Sequence, residues 1–263
     1  MQSKPNILLI YTGGTIGMIK DFETGELKAF NFGKISNKIP ELKLLDCTIQ
    51  TISFDVPIDS SNMNPKKWIE IASIIEDNYS KFDGFVVLHG SDTMSYSASA
   101  MSFMLENLDK PVIFTGSQLP IGDLRTDAKE NLITAIQMAS LQQKGKAVIQ
   151  EVCLYFEYKL YRGNRTTKIN AEHFNAFTSP NYSALAESGV HLNISENSLF
   201  SKNSKKLIVH KELDDNVVII KMFPGINESV LQSIISIPNL KGIIIETYGS
   251  GNAPSEDWFI QIL

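Results

Sequence analysis

Ile7-Leu8-Leu9-Ile10-Tyr11-Thr12-Gly13-Gly14-Thr15-Ile16-Gly17 is the stretch whose reading decides the fold. A continuous apolar run that stops abruptly in Thr-Gly-Gly-Thr is the pattern of a buried parallel strand. Such a strand delivers a loop to the carboxyl edge of a sheet, where open α/β folds place their ligands. Thr12 then sits at that edge. The two glycines after it remove side-chain bulk and permit backbone conformations closed to other residues, so the expectation is that a small molecule reaches both hydroxyl and backbone. A plain turn and a phosphate-binding loop are the competing readings. The second fits badly: Gly14 and Gly17 supply only the latter half of G-x-G-x-x-G, and G-x-x-x-x-G-K-[ST] occurs nowhere.

Working outward, residues 18–30 are polar around Thr24-Gly25-Glu26 and read as a hairpin or flap over Thr12, followed by a short helix near 34–39. Residues 44–54 alternate like a strand and end in a polar loop, Asp55 to Met63. Asn64 then caps a helix with Pro65 in its first turn and an apolar face of Trp68, Ile71, Ile74 and Ile75. The step repeats: strand 84–88, loop His89-Gly90-Ser91-Asp92-Thr93, helix 94–105; strand 112–115, loop 116–127, helix 128–140; then strand 147–156. Strands alternating with helices give a parallel, doubly wound sheet with every polar loop on one edge, so Thr12, Ser60, Ser91 and Ser117 are expected to converge.

The pattern breaks at Tyr158, where an irregular hairpin runs to Asn170, and loop-rich sequence continues to Ser188. The expected organisation is a large α/β domain over residues 1–188, a polar linker over 189–205 and a smaller α/β domain over 206–263. That second domain opens with strands near 207–210 and 217–222, continues through a helix capped by Asn227 and a strand at 242–246, and stops in mid-helix at Leu263. It reads as truncated, since about 60 residues are hard to stabilise alone.

With 263 residues, 43% hydrophobic and 20% charged, the chain has ample core-forming capacity, and a net charge of −5 argues against nucleic acid or an anionic membrane as the main partner. The start shows no signal-peptide pattern and no run is long enough to span a bilayer, so the cytoplasm is the expected compartment. Cys47 and Cys153 are too few and too far apart for a disulfide framework and are expected to be buried thiols. The four histidines lack ligand spacing, and no metal or cofactor is implied.

What the loops offer is hydroxyls, a carboxylate, a lysine and glycine amides. A hydroxyl nucleophile needs a base for its proton and donors for the oxyanion that forms. Lysine serves as that base when burial or a nearby cation lowers its pKa, and a second hydroxyl can relay the proton. Ser91, Asp92 and Lys168 suit such a relay. Each has a plain structural alternative: Asp92 as a helix cap, Ser91 as a turn residue, Lys168 as a solvated side chain. His89 reads as a hydrogen-bonded histidine at a strand end.

Thr12-Gly13-Gly14-Thr15-Ile16-Gly17, His89-Gly90-Ser91-Asp92-Thr93-Met94 and Arg162-Gly163-Asn164-Arg165-Thr166-Thr167-Lys168 together resemble the bacterial-type L-asparaginase family, most of all its cytoplasmic type I branch. The likeness runs over nearly the whole chain and includes Asp59-Ser60-Ser61-Asn62-Met63, Thr115-Gly116-Ser117-Gln118 and Tyr248-Gly249-Ser250-Gly251-Asn252-Ala253-Pro254. It implies that the position matching Thr12 attacks the side-chain amide of L-asparagine, that ammonia leaves, and that water hydrolyses the β-aspartyl ester. Ser91, Lys168 and Asp92 match the positions that move protons and fix the water. Asp92 would also receive the α-ammonium, and Ser60 with Asp59 and Ser61 the α-carboxylate, with backbone amides near Ser91 as oxyanion donors.

Three departures stand out. Ser91 occupies a position where the family has threonine, the flap tyrosine has no match within 21–30, and relatives continue well past Leu263. The resemblance implies a homodimer or homotetramer when the full second domain is present. Two other readings follow from the same motifs: an amidotransferase-type homologue, and a non-catalytic amino-acid-binding relative. A nucleotide-binding, flavodoxin-like protein is the reading from a different class.

Overall fold

The computed structural model describes residues 4–20, 27–29, 39–200 and 205–263. One eight-stranded sheet organises the larger unit. In chain order its strands are β1 (Asn6–Gly13), β2 (Thr48–Ile58), β3 (Gly84–Leu88), β4 (Val112–Thr115), β5 (Val152–Phe156), β6 (Lys159–Arg162), β7 (Ala186–Ser188) and β8 (Leu192–Ile194). Their spatial order is β8-β7-β6-β5-β4-β3-β1-β2.

β1 explains why the apolar run is continuous. It pairs in parallel with β2 on one side and β3 on the other, so from Ile7 to Tyr11 it has a neighbouring strand on both edges and both of its faces are covered. Successive side chains point to opposite faces. Ile7, Leu9 and Tyr11 pack with Leu132, Ala135 and Ile136 of helix α3 (Ala128–Ala139), whereas Leu8 and Ile10 share a core with Ile71 and Ile75 of α1 (Pro65–Asn78) and Ala98 and Met101 of α2 (Met94–Met104). The expected cap of α1 is present: Asn64 Oδ1 accepts from Lys66 N and Lys67 N at 3.1 and 3.3 Å, with Pro65 in the first turn.

Several expectations are corrected. Residues Pro40–Leu44 form a 3₁₀ turn, and β2 begins only at Thr48, then runs on to Ile58 through residues read as loop. Pro57 is tolerated there because β2 is the edge strand and one row of its amides needs no partner. The parallel part of the sheet ends at β5. The chain then turns back through Glu157 and Tyr158, both at positive φ (42° and 66°), the conformation that tight hairpins need, and β6, β7 and β8 extend the sheet antiparallel. The strand expected over 147–156 divides accordingly: Lys146–Ala147 pairs with Gln142–Gln143 as a separate ribbon.

The expected linker at 189–205 contains β8, the outermost strand of the sheet. A buried ion pair ties down the residues after it: Arg162 Nε donates to Glu151 Oε2 at 2.6 Å and Arg162 Nη2 to Ser198 O at 2.8 Å, while Phe200 N donates to Glu151 Oε1 at 2.9 Å. The first unit accordingly runs to Lys211 and the second covers Glu212–Leu263. Ile208–Val209, read as opening the second domain, instead pairs antiparallel with Leu105–Glu106 of the first unit.

The smaller unit contains β9 (Val217–Lys221) parallel to β10 (Gly242–Glu246), with α4 (Glu228–Ile235) and α5 (Asp257–Ile262). Ile220, Met222, Leu231 and Phe259 form its core, and Asn227 Oδ1 caps α4 by accepting from Val230 N at 3.1 Å. Cys153 is buried in β5, but Cys47 lies just before β2 and is half-buried. The flap expected over 18–30 is seen as an antiparallel pairing of Met18–Lys20 with Leu27–Ala29; its turn at 21–26 and the helix expected near 34–39 lie almost wholly outside the described residues.

Gly14 is a position where this architecture tolerates no side chain. Its φ is +84°, and a Cβ there would lie 2.5 Å from both Cα and N of Gly90. Gly14→Ala is expected to destabilise the chain by about 3 kcal/mol. Gly189→Ala, where the nearest atom to an added Cβ is His191 O at 3.8 Å, should change stability by about 0.5 kcal/mol or less. Urea denaturation of the two variants checks both.

Candidate active site

Backbone-to-backbone contact assembles the site. Gly13, at φ +136°, leaves no room for a side chain because a Cβ there would sit 2.0 Å from Ile58 O, and Gly14 N donates to that same carbonyl at 3.2 Å. Tyr11 pairs with Ser53 but Gly13 with Ile58, so residues 54–57 bow outward and Ile58-Asp59-Ser60 returns beside the first loop. Gly14 in turn lies on Gly90. The space where a Cβ would stand at both glycines is therefore taken by neighbouring main chain. Thr93 Oγ1 donates to Ser60 O at 2.7 Å and binds the second loop to the third.

Thr12 stands at the end of β1, 1% exposed, and its Oγ1 donates to Leu88 O at 2.9 Å. Ser60 is 3% exposed. Asp59 is exposed, and its carboxylate Oδ1 accepts from Ser61 N at 2.9 Å and Ser61 Oγ at 2.8 Å. The Ser61 amide, and then its hydroxyl, lower the Asp59 pKa below the usual carboxylate range. Ser117 lies on the same edge, but its hydroxyl is committed to Leu119 O at 2.6 Å.

Lys168 reaches the edge from the opposite direction. Thr167–Lys168 pairs antiparallel with Phe177–Thr178, and the buried Phe177 ring meets Phe156 edge-on at 5.0 Å, which anchors the ribbon to the sheet. From there Lys168 Nζ donates to Ser91 Oγ and to Asp92 Oδ1, each at 2.8 Å. The three residues read from sequence as a relay thus touch one another. The lysine side chain is 14% exposed and its partner aspartate 65%. A cavity of about 640 Å³ opens beside them, lined by Asp92, Tyr96, Thr167, Lys168 and Asn170 among others.

His89 is a structural support, as its position at a strand end indicated. It is fully buried; Nδ1 lies 2.7 Å from Gly90 O, which can only accept, so Nδ1 carries the proton. Nε2 then accepts from Ser97 Oγ at 2.8 Å, and Ser97 Oγ accepts from Trp68 Nε1 at 2.9 Å. Burial lowers the pKa of His89 to about 4, with the contact to Gly90 O opposing in part.

Two residues that the sequence reading did not single out complete the arrangement. Gln118 Oε1 accepts from Ser91 Oγ at 3.2 Å. Asp127, ahead of α3, accepts from Gln118 N at 2.9 Å and Leu119 N at 3.1 Å, which shapes the loop after β4. Gln118 belongs to the Thr115-Gly116-Ser117-Gln118 motif but was given no role, and for Asp127 the available signal was position alone, at the end of a polar loop that follows a parallel strand. Asn131 Nδ2 closes the same loop by donating to Gly116 O at 3.0 Å.

Comparison with known proteins agrees with the motifs. The asparaginase N-terminal family model matches residues 6–200, and the glutaminase/asparaginase C-terminal domain model matches residues 216–263. L-asparaginase 1 of Escherichia coli K12 is 42% identical over 266 residues, which cover 100% of this chain and 76% of that protein. The 60 kDa lysophospholipase of Mus musculus is 39% identical over 285 residues, with 100% of this chain and 50% of that protein covered. Among solved structures, L-asparaginase I from Vibrio cholerae superposes with a TM-score of 0.88 at 40% identity, over 98% of this chain and 76% of that one.

The burial of His89 has a pH signature. Its folded pKa lies below the unfolded value of about 6.5, so between these values the unfolded chain binds a proton that the native chain refuses, and stability falls as pH falls. The expected loss is up to about 1.4 kcal/mol per pH unit between about 6.5 and 4 from this group. NMR titration of the ring should show no protonation above about pH 5, and stability in His89→Gln should depend less steeply on pH over that window.

Proposed function

The chain belongs to the asparaginase family, and from that membership we propose that it is an amidohydrolase converting L-asparagine to L-aspartate and ammonia. The observation that carries the reading is the contact of Lys168 Nζ with both Ser91 Oγ and Asp92 Oδ1 on the sheet edge where Thr12 ends β1. A free amino acid is a zwitterion, so a site for it needs a carboxylate for one end and hydrogen-bond donors for the other. Asp92, exposed and only partly engaged by Lys168, suits the α-ammonium. Ser60 and Ser61 supply donors for the α-carboxylate, and Asp59 serves by holding the Ser61 amide and hydroxyl in place.

In the proposed reaction Thr12 exchanges its bond to Leu88 O for attack on the side-chain amide carbon. Its proton passes through Ser91 to Lys168 and on to the departing ammonia. The oxyanion is held by backbone amides near Ser91. Water, its proton taken by the same pair, then cleaves the β-aspartyl ester and regenerates the threonine. Glutamine, longer by one methylene, would place its carbonyl off this line, a discrimination of about 1–3 kcal/mol. The proposal extends to a cytoplasmic setting and to a homodimer or homotetramer; both rest on the motif resemblance, and sedimentation of the purified chain tests the second.

The deciding experiment is ammonia release from L-asparagine and, in parallel, L-glutamine. Release from asparagine is expected to vanish in Thr12→Ala. It should fall by about 10²–10⁴ in Lys168→Met, the range for a general acid–base group. Asp92→Ala should raise KM as well as lower kcat. Saturable asparagine binding by folded wild-type protein with no ammonia release would replace the hydrolase by a binding protein, and turnover surviving in Thr12→Ala would remove the nucleophile assignment.

A further inference from the structure

Thr93 is the residue just before α2, where a threonine hydroxyl ordinarily accepts from the helix amides. Among the described residues it caps none of them. Its Oγ1 donates instead to Ser60 O at 2.7 Å, 33 residues back in the chain. Ser60 O also accepts from Met63 N at 3.0 Å, so the carbonyl is engaged twice, once inside its own turn and once across to the third loop. That turn is stiff in itself: Asn62 N donates to Asp59 O at 2.9 Å, and Ser61 N to the Asp59 carboxylate at 2.9 Å. A second contact joins the two loops, since a Cβ at Gly90 would lie 2.6 Å from Ser60 Oγ. Packing of this kind sets only how closely the loops approach. The Thr93 bond, short and directional, also keeps them from parting.

In the hydrolase reading, on which this inference rests, the two loops hold opposite ends of the ligand. Ser60 and Ser61 supply donors for the α-carboxylate, and Asp92, the residue next to Thr93, receives the α-ammonium. In an α-amino acid both groups leave one carbon, so their partners must keep one separation, and freedom between the two loops is lost affinity. We propose that Thr93 is a positioning residue that sets this separation, acting through Ser60-Ser61 on one side and Asp92 on the other. The second loop is placed against the first by a different bond, Gly14 N to Ile58 O at 3.2 Å. Loss of the Thr93 bond therefore disturbs the spacing of the two charged ends more than the approach of the amide to Thr12. Threonine suits the task, because its branched Cβ leaves few rotamers into which the hydroxyl can drift.

Steady-state kinetics with competitive inhibitors tests it. Thr93→Val removes the donor at nearly constant volume; KM for L-asparagine and the inhibition constant of L-aspartate should each rise about tenfold, the order of one neutral hydrogen bond, with a much smaller change in kcat. Succinamate, which is asparagine without the α-ammonium, has a single charged end to place, and its inhibition constant should hardly move. Thr93→Ser restores the donor and should bring KM back close to the wild-type value. If the valine variant does not fold, Thr93→Ala, which sets no methyl against Ser60 O, takes its place. A wild-type KM in the variant without the hydroxyl overturns the proposal. So does an equal loss for succinamate and L-aspartate, the mark of a site loosened as a whole, or a KM that stays high in Thr93→Ser. Wild-type chain that neither binds L-aspartate nor releases ammonia overturns the hydrolase reading along with it, whereas an active wild type indifferent to Thr93 overturns this inference alone.

Discussion

The contact of the Gly13-Gly14 backbone with the main chain at Ile58 and at Gly90 is the constraint on which the site depends. Loops after parallel strands have main-chain donors and acceptors to satisfy, and here one loop satisfies another: Gly14 N is bonded to Ile58 O. Such an approach excludes any Cβ on the facing side. It also sets the order of the site, because Thr12, Ser60 and Ser91 belong to the segments that meet there.

Around that contact lies a shell of polar groups with their partners assigned. Trp68, Ser97 and His89 form a chain of hydrogen bonds that ends on Gly90 O, beneath the third loop. Asp127 and Asn131 hold the fourth loop from below. Buried polar groups without partners cost more than paired ones gain, so a network of this kind rigidifies what it touches when it is complete. At the far side of the sheet the Glu151–Arg162 pair, itself stacked on the rings of Phe200 and Tyr182, does the same for the residues after β8. Breaking one partner of such a pair leaves a charge buried and unsatisfied. Rigid loops and a fixed ribbon are what allow Lys168, brought from the far end of the large unit, to meet Ser91 and Asp92 within hydrogen-bond distance.

Much of this was legible in advance. The strand 84–88 and the strand 112–115 have the bounds read from their apolar runs, and the helices after them differ by a residue at the end. Local signals are strong there: a buried parallel strand must be apolar on both faces, and Asn64-Pro65 is a helix start in itself. The failures have a common cause. β2 runs past its expected end because an edge strand need be apolar on neither face, and β8 was read as linker because a three-residue antiparallel edge strand leaves almost no periodic trace. The break at Tyr158 was legible, but the turn at Glu157-Tyr158 lacks the Asn-Gly signature of its class, so the antiparallel extension of the same sheet beyond it was not.

The sequence by itself determined the alternating α/β framework, the edge on which the loops gather, the residue types able to run hydroxyl-based amide hydrolysis, and, through its motifs, the family. Each rests on an interaction between residues close in the chain or on a pattern of composition. The tertiary structure alone decided which hydroxyls are free: Ser117 is spent on Leu119, Thr12 rests on Leu88, and Ser91 lies between Lys168 and Gln118. It also showed that the glycines make room for backbone. Those outcomes depend on partners up to 77 residues apart in the chain, and a hydrogen bond, directional and limited to about 3 Å, is fixed only when the packing that brings its ends together is complete.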